Sequence, residues 1–279
     1  MSRIAYVNGQ YLPHSAASVH IEDRGYQFAD GVYEVITMIN GHLHDCDGHL
    51  KRLARSLSEL KMSSPVSEPI MRMIISRLIR LNHLKNGTIY LQVTRGVARR
   101  DHKFPAADTR PSLVMTVKHL KLATQQPKGV KTITVADQRW ARRDIKTVQL
   151  LPNCLAKQAA FEKGAYEAIM VMPDGSVSEG SSSNVWMVTK NDVIVTRPAD
   201  SDILNGITRQ AVYQLAEDRQ MKVEERRFTE DELYQAKEVF LTSATSLVTS
   251  VTTINDTEIG EGMMGEVAIS LRADYLSHQ

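Results

Sequence analysis

Glu179-Gly180-Ser181-Ser182-Ser183-Asn184, read together with Lys146 upstream of it, is the stretch on which the interpretation of this chain turns. Gly180 lets the backbone approach a ligand closely, and the short hydroxyl side chains beside it can donate hydrogen bonds without bulk. Glu179 offers a fixed anion and Lys146 a primary amine. Those are the demands of pyridoxal phosphate, which reacts through an imine with a lysine and withdraws electrons well only while its ring nitrogen stays protonated beside an acid. Composition alone also allows a solvated turn between strands and a surface lysine, so the rest of the chain has to arbitrate.

At 279 residues the chain exceeds the usual size of a single core, and two domains are expected. Lys plus Arg number 34 against 32 Asp plus Glu, a formal charge of +2, too even to suggest nucleic acid or a membrane surface as partner. The first residues, Met1-Ser2-Arg3-Ile4-Ala5-Tyr6, lack a long apolar core behind a basic start, and no run approaches the ~18 apolar residues of a spanning helix. A cytoplasmic protein is expected. Cys46 and Cys154 lie far apart, which argues against a disulfide framework.

Helical and strand periods alternate along the chain. Leu50, Leu53, Ala54, Leu57 and Leu60 recur at helical spacing behind Asp47 as a cap, and 70–81 forms a second apolar helix behind Pro69. Ile89, Leu91 and Val93 alternate with Tyr90, Gln92 and Thr94 as in a strand, and 112–119 repeats that pattern. The polar stretch 121–129 reads as a linker between a smaller domain, 1–120, and a larger one, 130–279. Beyond it 130–135, 165–172, 185–188 and 193–196 read as strands, and 153–163, 207–221 and 265–276 as helices. Thr229-Glu230-Asp231-Glu232 is a capping box that opens another helix.

Two familiar phosphate signatures, Gly-x-Gly-x-x-Gly after a strand and Gly-x-x-x-x-Gly-Lys-Ser/Thr, are missing, so a phosphate site has to be built otherwise. Gly206-Ile207-Thr208-Arg209 opens a helix whose first N–H groups and dipole can face an anion, unless Thr208 merely caps that helix. Thr242-Ser243-Ala244-Thr245, after the strand Val239-Phe240-Leu241, is a second cluster of small donors or else a plain turn. His42, His44, Asp45, Cys46, Asp47 and His49 crowd together but match no zinc spacing, so no metal is expected. Arg139, Arg142 and Arg143 read as a solvated basic face, with depression of the lysine pKa as the other option.

Further blocks join these in a fixed order: Asp23-Arg24-Gly25-Tyr26-Gln27-Phe28-Ala29-Asp30-Gly31-Val32-Tyr33-Glu34-Val35, Val93-Thr94-Arg95-Gly96, Arg100-Asp101-His102, Asp144-Ile145-Lys146, the Glu179 run and Gly206-Ile207-Thr208-Arg209. Over almost its whole length the sequence resembles the class IV aminotransferases, most nearly those acting on D-amino acids. The resemblance implies a two-domain α/β (α+β) fold of type IV with pyridoxal 5'-phosphate between the domains, in a homodimer whose sites borrow residues across the interface. It implies that Lys146 is the catalytic lysine, that Glu179 contacts the ring nitrogen, and that Arg52, Ile207 and Thr208 hold the phosphate together with the Ser243-Ala244 turn. Tyr33, Arg100 and His102 would hold the substrate α-carboxylate, the last two from the partner subunit.

The implied reaction moves an amino group from a D-amino acid such as D-alanine to a 2-oxo acid such as 2-oxoglutarate in two half-reactions. Branched-chain L-amino acid aminotransferases and R-selective amine transaminases share the cofactor blocks, and only the Arg100-x-His102 pair argues for D substrates. A protein that binds a phosphate ligand without imine chemistry is the reading from a different class. Two positions depart from the family pattern. Ala29 replaces a glycine, acceptable to a backbone of negative φ. Ala244 replaces a threonine, whose phosphate contact passes to a backbone N–H, passes to Ser243, or is lost.

Overall fold

In the computed structural model, which describes residues 3–120 and 129–277, the chain divides by its contacts into two units. One comprises Met1–Leu122 with Ile145–Gln149, the other Ala123–Asp144 with Leu150–Gln279. Residues 121–128 of the expected linker lie outside the described residues. The segment Ile145–Gln149, expected in the second domain, contacts the first unit because its backbone pairs with a strand there.

The first unit is built on strands β1 (Ile4–Val7) and β2 (Gln10–Pro13), helix α1 (Arg24–Phe28), strands β3 (Gly31–Ile39) and β4 (His42–Leu43), helices α2 (Cys46–Glu59) and α3 (Glu68–Leu81), and strands β5 (Gly87–Thr94) and β6 (Ser112–His119). Its sheet runs β2-β1-β6-β5-β3-β4 with antiparallel neighbours. Ile89, Leu91 and Val93 are fully buried along β5, opposite Ile36, Glu34 and Val32 of β3. Leu50, Leu53 and Leu57 of α2 and Met71, Ile74, Ile75 and Leu78 of α3 recur every three or four residues, which gives each helix one apolar face to bury. Helix α2 packs on β3, and α3 on β1 and β6. Each such side chain taken out of water contributes roughly 1.5–3 kcal/mol.

The second unit holds β7 (Val130–Ala136), α4 (Leu151–Glu162), β8 (Glu167–Val171), β9 (Val177–Gly180), β10 (Asn184–Val188), β11 (Ile194–Thr196), α5 (Ile207–Asp218), β12 (Val223–Glu225), α6 (Glu230–Gln235), β13 (Glu238–Ser243), β14 (Leu247–Ile254), β15 (Thr257–Glu258) and α7 (Glu266–Ser277). The sheet order is β12-β11-β10-β13-β14-β7-β8-β9, with β15 on β14. Strands β7 and β8 are parallel, so a crossover must join them, and α4 packs on both. Val185, Met187, Val239, Leu241, Val251 and Ile254 fill the core beneath α6, whose capping box is complete: Thr229 N–H donates to Glu232 at 3.0 Å and Glu232 N–H to the Thr229 hydroxyl at 3.4 Å. Among the described residues no helix is long and apolar enough to cross a membrane.

Candidate active site

In the first unit the segment carrying Lys146 is laid against the start of β3. Tyr33 N–H donates to the Lys146 carbonyl and Val148 N–H to the Gly31 carbonyl, both at 3.0 Å, and Thr147 bridges to Val32. The Lys146 N–H is directed to the Ser56 hydroxyl at 3.4 Å. The side chain is half-buried and its Nζ lies 4.4 Å from the centre of the Tyr33 ring. No ion pair holds this amine among the described residues. With no carboxylate bonded to it, the amine is open to form a bond with a carbonyl group. Tyr33 stacks on Tyr90 with ring centres 5.7 Å apart, and burial, then Tyr33, pushes the Tyr90 phenol up to about 12.

Arg52, on the face of α2 that meets β3, is fixed from below. Its Nε and Nη2 donate to the two carboxylate oxygens of Glu34, each at 2.7 Å, and His49 Nδ1 lies 2.7 Å from Oε2. Burial of Glu34 would raise its pKa, but the Arg52 charge and the hydrogen bonds from Arg52 and His49 outweigh it and hold the carboxyl down at about 2. The guanidinium is therefore set in one plane by a two-pronged contact. His49 belongs to this carboxylate, which gives the crowded His42–His49 stretch a structural role that its sequence spacing did not reveal.

In the second unit Glu179, near the end of β9, is buried and accepts from Arg139 Nη1, from Asn184 Nδ2 at 3.1 Å and from the Leu204 N–H at 3.1 and 3.2 Å. Asn184 also donates to the Leu204 carbonyl at 2.8 Å, tying the acid to the loop that enters α5. A Cβ on Gly206 would come within 2.1 Å of the Asn184 Oδ1, so the tie leaves room only for glycine. Arg139 also bonds Asp137, and Arg143 lies beside Asp137 and Asp202. These two arginines are buried partners of carboxylates, which corrects the reading of a solvated face; Arg142 is closer to it, its side chain 43% exposed while bonded to Asp144.

The three serines after Gly180 differ from expectation. Their hydroxyls all turn onto one buried carboxylate, Glu167, which accepts from Ser181, from Ser182 at 2.9 Å and from Ser183 at 3.2 Å. They hold the turn that carries Glu179 in place, and Asn153 secures it further through the Ser181 carbonyl at 2.8 Å. Glu167 is a residue that sequence reading missed, since nothing local marks a strand glutamate as the partner of a turn more than ten residues on.

Helix α5 begins at Ile207 behind Gly206 with no side-chain cap, so Thr208 does not cap it. The Thr208 hydroxyl makes no hydrogen bond among the described residues, although the residue is only 3% exposed. The first-turn N–H groups of α5 and this hydroxyl form a donor set suited to an anion. At the end of β13 the Ser243 and Ser246 hydroxyls lie 2.6 Å apart, and Ser246 N–H donates to the Ser243 Oγ at 3.1 Å. Two hydroxyls that share one hydrogen bond keep one proton to offer outward. Arg272 of α7 ties this turn down by donating to the Ser246 and Val248 carbonyls at 2.8 and 2.7 Å.

Arg100 and His102 sit exposed on the loop beyond β5. The Arg100 guanidinium lies 4.9 Å from the Phe28 ring centre, and the His102 ring centre 5.6 Å from it. Within the first unit the structure thus groups Lys146 with Tyr33, and Arg100 with His102; within the second it sets Glu179 beside the loop leading to Ile207 and Thr208. Each unit by itself presents groups of a kind that a phosphorylated pyridine aldehyde can engage: an uncommitted amine in the first, and a buried acid and unpartnered donors at α5 in the second.

Residues 31–254 match the amino-transferase class IV family. The chain is 45% identical over 258 residues to a D-alanine aminotransferase of Bacillus licheniformis, spanning 92% of this chain and 90% of that protein. A D-alanine aminotransferase of Staphylococcus aureus is 38% identical over 271 residues, 97% of this chain and 95% of that one. Among solved structures, a branched-chain amino acid aminotransferase of T.th., crystallised with pyridoxamine 5'-phosphate, superposes with a TM-score of 0.89 at 27% identity, covering 99% of this chain and 94% of that one. Fold and sequence agree, and the chain belongs to the class IV aminotransferases, the fold-type IV enzymes that work with pyridoxal phosphate.

Proposed function

We propose that the enzyme transfers the amino group of D-amino acids, D-alanine among them, to a 2-oxo acid such as 2-oxoglutarate in two half-reactions. The observation that carries this reading is the near full-length similarity to D-alanine aminotransferases in a chain that keeps Lys146 free of a carboxylate partner. Bound pyridoxal phosphate supplies the electron sink that makes the substrate Cα–H acidic. In this reading Lys146 holds the cofactor through Nζ and, once freed by the substrate amine, takes the Cα proton and returns it. Glu179 keeps a positive charge on the ring nitrogen, with Arg139, Asn184 and the Leu204 N–H fixing its orientation. Arg52, Ile207, Thr208, Ser243 and Ala244 hold the phosphate, which anchors the ring and raises the effective concentration of the reacting groups.

Tyr33, Arg100 and His102 bind the substrate carboxylate, the latter pair reaching the site of the other copy in a homodimer. The exposure of that pair, with no acidic partner among the described residues, supports this assignment. The free thiols of Cys46 and Cys154 accord with a reducing, cytoplasmic setting. Initial rates with D-alanine, L-leucine and (R)-1-phenylethylamine as donors to 2-oxoglutarate test the substrate class. The reading expects D-alanine to be used best, and a preference for L-leucine or the amine overturns it.

A further inference from the structure

The loop that carries Arg100 and His102 is held by a buried guanidinium outside the pair. Arg24, 3% exposed, opens α1, where Asp23 caps the helix by accepting from Gly25 N–H at 2.8 Å. The Arg24 N–H donates to the Gly96 carbonyl at 2.9 Å, placing it against the start of that loop. Its Nη1 donates to the Asp101 carbonyl at 2.7 Å and to the Lys103 carbonyl at 3.3 Å. These two carbonyls flank His102 and follow Arg100, so one side chain grips the backbone between and beyond both candidate ligands.

Two further contacts fix the grip. Asp30 Oδ2 accepts from Arg24 Nε and from Arg95 Nε, each at 2.8 Å, so a single carboxylate ties two guanidinium groups together at the root of the loop. The Phe28 ring is shared: the guanidinium carbons of Arg24 and Arg100 lie 4.7 and 4.9 Å from its centre, and the His102 ring packs on it as well. Arg24, Phe28, Arg100 and His102 thus pack together around the loop.

We propose that Arg24 is the positioning residue of the carboxylate-binding pair: by holding the Asp101 and Lys103 carbonyls and sharing Phe28 with Arg100, it presents Arg100 and His102 together to one carboxylate. This rests on the assignment of Arg100 and His102 to the substrate carboxylate. A displaced donor pair loses its two-point contact, and errors of about 1 Å in such sites cost up to ~100-fold. The loss falls on substrate affinity, because Arg24 touches neither Lys146 nor Glu179 among the described contacts.

The test compares Arg24→Met, Arg24→Lys, Arg100→Ala and the Arg24→Met/Arg100→Ala double variant in the cofactor-loaded enzyme. The measurements are KM and kcat for D-alanine, the inhibition constant of propionate, which has a carboxylate but neither amine nor ketone, and the absorbance of the bound cofactor. Arg24→Met raises KM and the propionate constant about tenfold or more, with kcat and absorbance close to wild type. Arg24→Lys falls between, since an ammonium can serve Asp30 or the loop carbonyls but lacks the planar fork that serves both. The double variant loses less than the product of the two single effects, because the part of the Arg24 effect that runs through Arg100 is already gone and only the His102 part remains. If Arg100→Ala raises both constants while the two Arg24 variants leave them within about twofold, or if the effects multiply in the double variant, Arg24 does not position the pair. If Arg100→Ala itself changes neither constant, the carboxylate assignment falls, and this inference with it. Should Arg24→Met fail to fold, the intermediate constants of Arg24→Lys decide by the same comparison.

Discussion

Ala29 carries a backbone that its side chain disfavours. At φ 55° and ψ 28° it closes α1 in the left-handed region, its N–H returning to the Arg24 and Gly25 carbonyls. The negative φ that alanine in this place suggested is therefore absent, and the glycine common in the family has its physical reason here. An L side chain in that region costs about 1–2 kcal/mol, of which glycine's larger unfolded-state entropy returns roughly half. Ala29→Gly is expected to stabilise the protein by about 0.5–1 kcal/mol, read as a higher urea midpoint. Glu34 gives a pH dependence. Its folded pKa of about 2 lies below the ordinary 4.5, so its stabilising contribution is complete above pH 4.5 and is lost as pH falls toward 2. The shift corresponds to roughly 3 kcal/mol. Urea midpoints of the cofactor-free protein between pH 5 and 2 should fall more steeply for wild type than for Glu34→Gln. Asp137, also held near 2, leaves the variant a residual slope.

Helix α7 shows how elements reach the site without contributing to it. Glu238 at the start of β13 accepts the Val267 and Ala268 N–H groups at 3.1 and 3.2 Å and so caps α7 across the sheet. About one turn further on, the same helix brings Arg272 to the Ser246 and Val248 carbonyls behind the Ser243 turn. Glu238→Gln leaves one acceptor and removes the charge at the helix N-terminus, costing about 1 kcal/mol, measurable as a lower thermal midpoint. An unchanged midpoint would show that the cap contributes nothing. Helices α2 and α3, the capping box of α6 and strands β5 and β6 were legible because their burial follows a regular period. Asp45, in place of Asp47, precedes the first residue of α2, a shift within the usual uncertainty of helix ends. Strands as short as β4, β9, β12 and β15 were not legible, since two to four residues carry no period and depend on partners distant in the chain. Strand β9 is the instructive case: the run from Glu179 fits a solvated turn by composition, yet Val177, Ser178, Glu179 and Gly180 are all buried beside β8. Arg139 and Arg143 misled because, besides the nearby Asp137, each meets a carboxylate far off in sequence, Glu179 for Arg139 and Asp202 for Arg143.

At the scale of the whole molecule, the chain leaves its second unit for five residues, Ile145–Gln149, and clamps Lys146 against β3 before returning. The resemblance located this lysine in the sequence; the two backbone hydrogen bonds to Tyr33 and Gly31 explain why its amine stays where it is. In the proposed function Lys146 is the residue that binds pyridoxal phosphate, and the enzyme's chemistry depends on it. Lys146→Ala is expected to keep the fold and lose several decades of turnover. The most direct measurement reduces the cofactor-loaded protein with borohydride, digests it, and maps by mass the peptide that retains the pyridoxyl group. Loss of the violet absorbance and a single labelled peptide, modified at Lys146, are expected. Label on another lysine, or a protein that takes up no pyridoxal phosphate, would contradict this assignment.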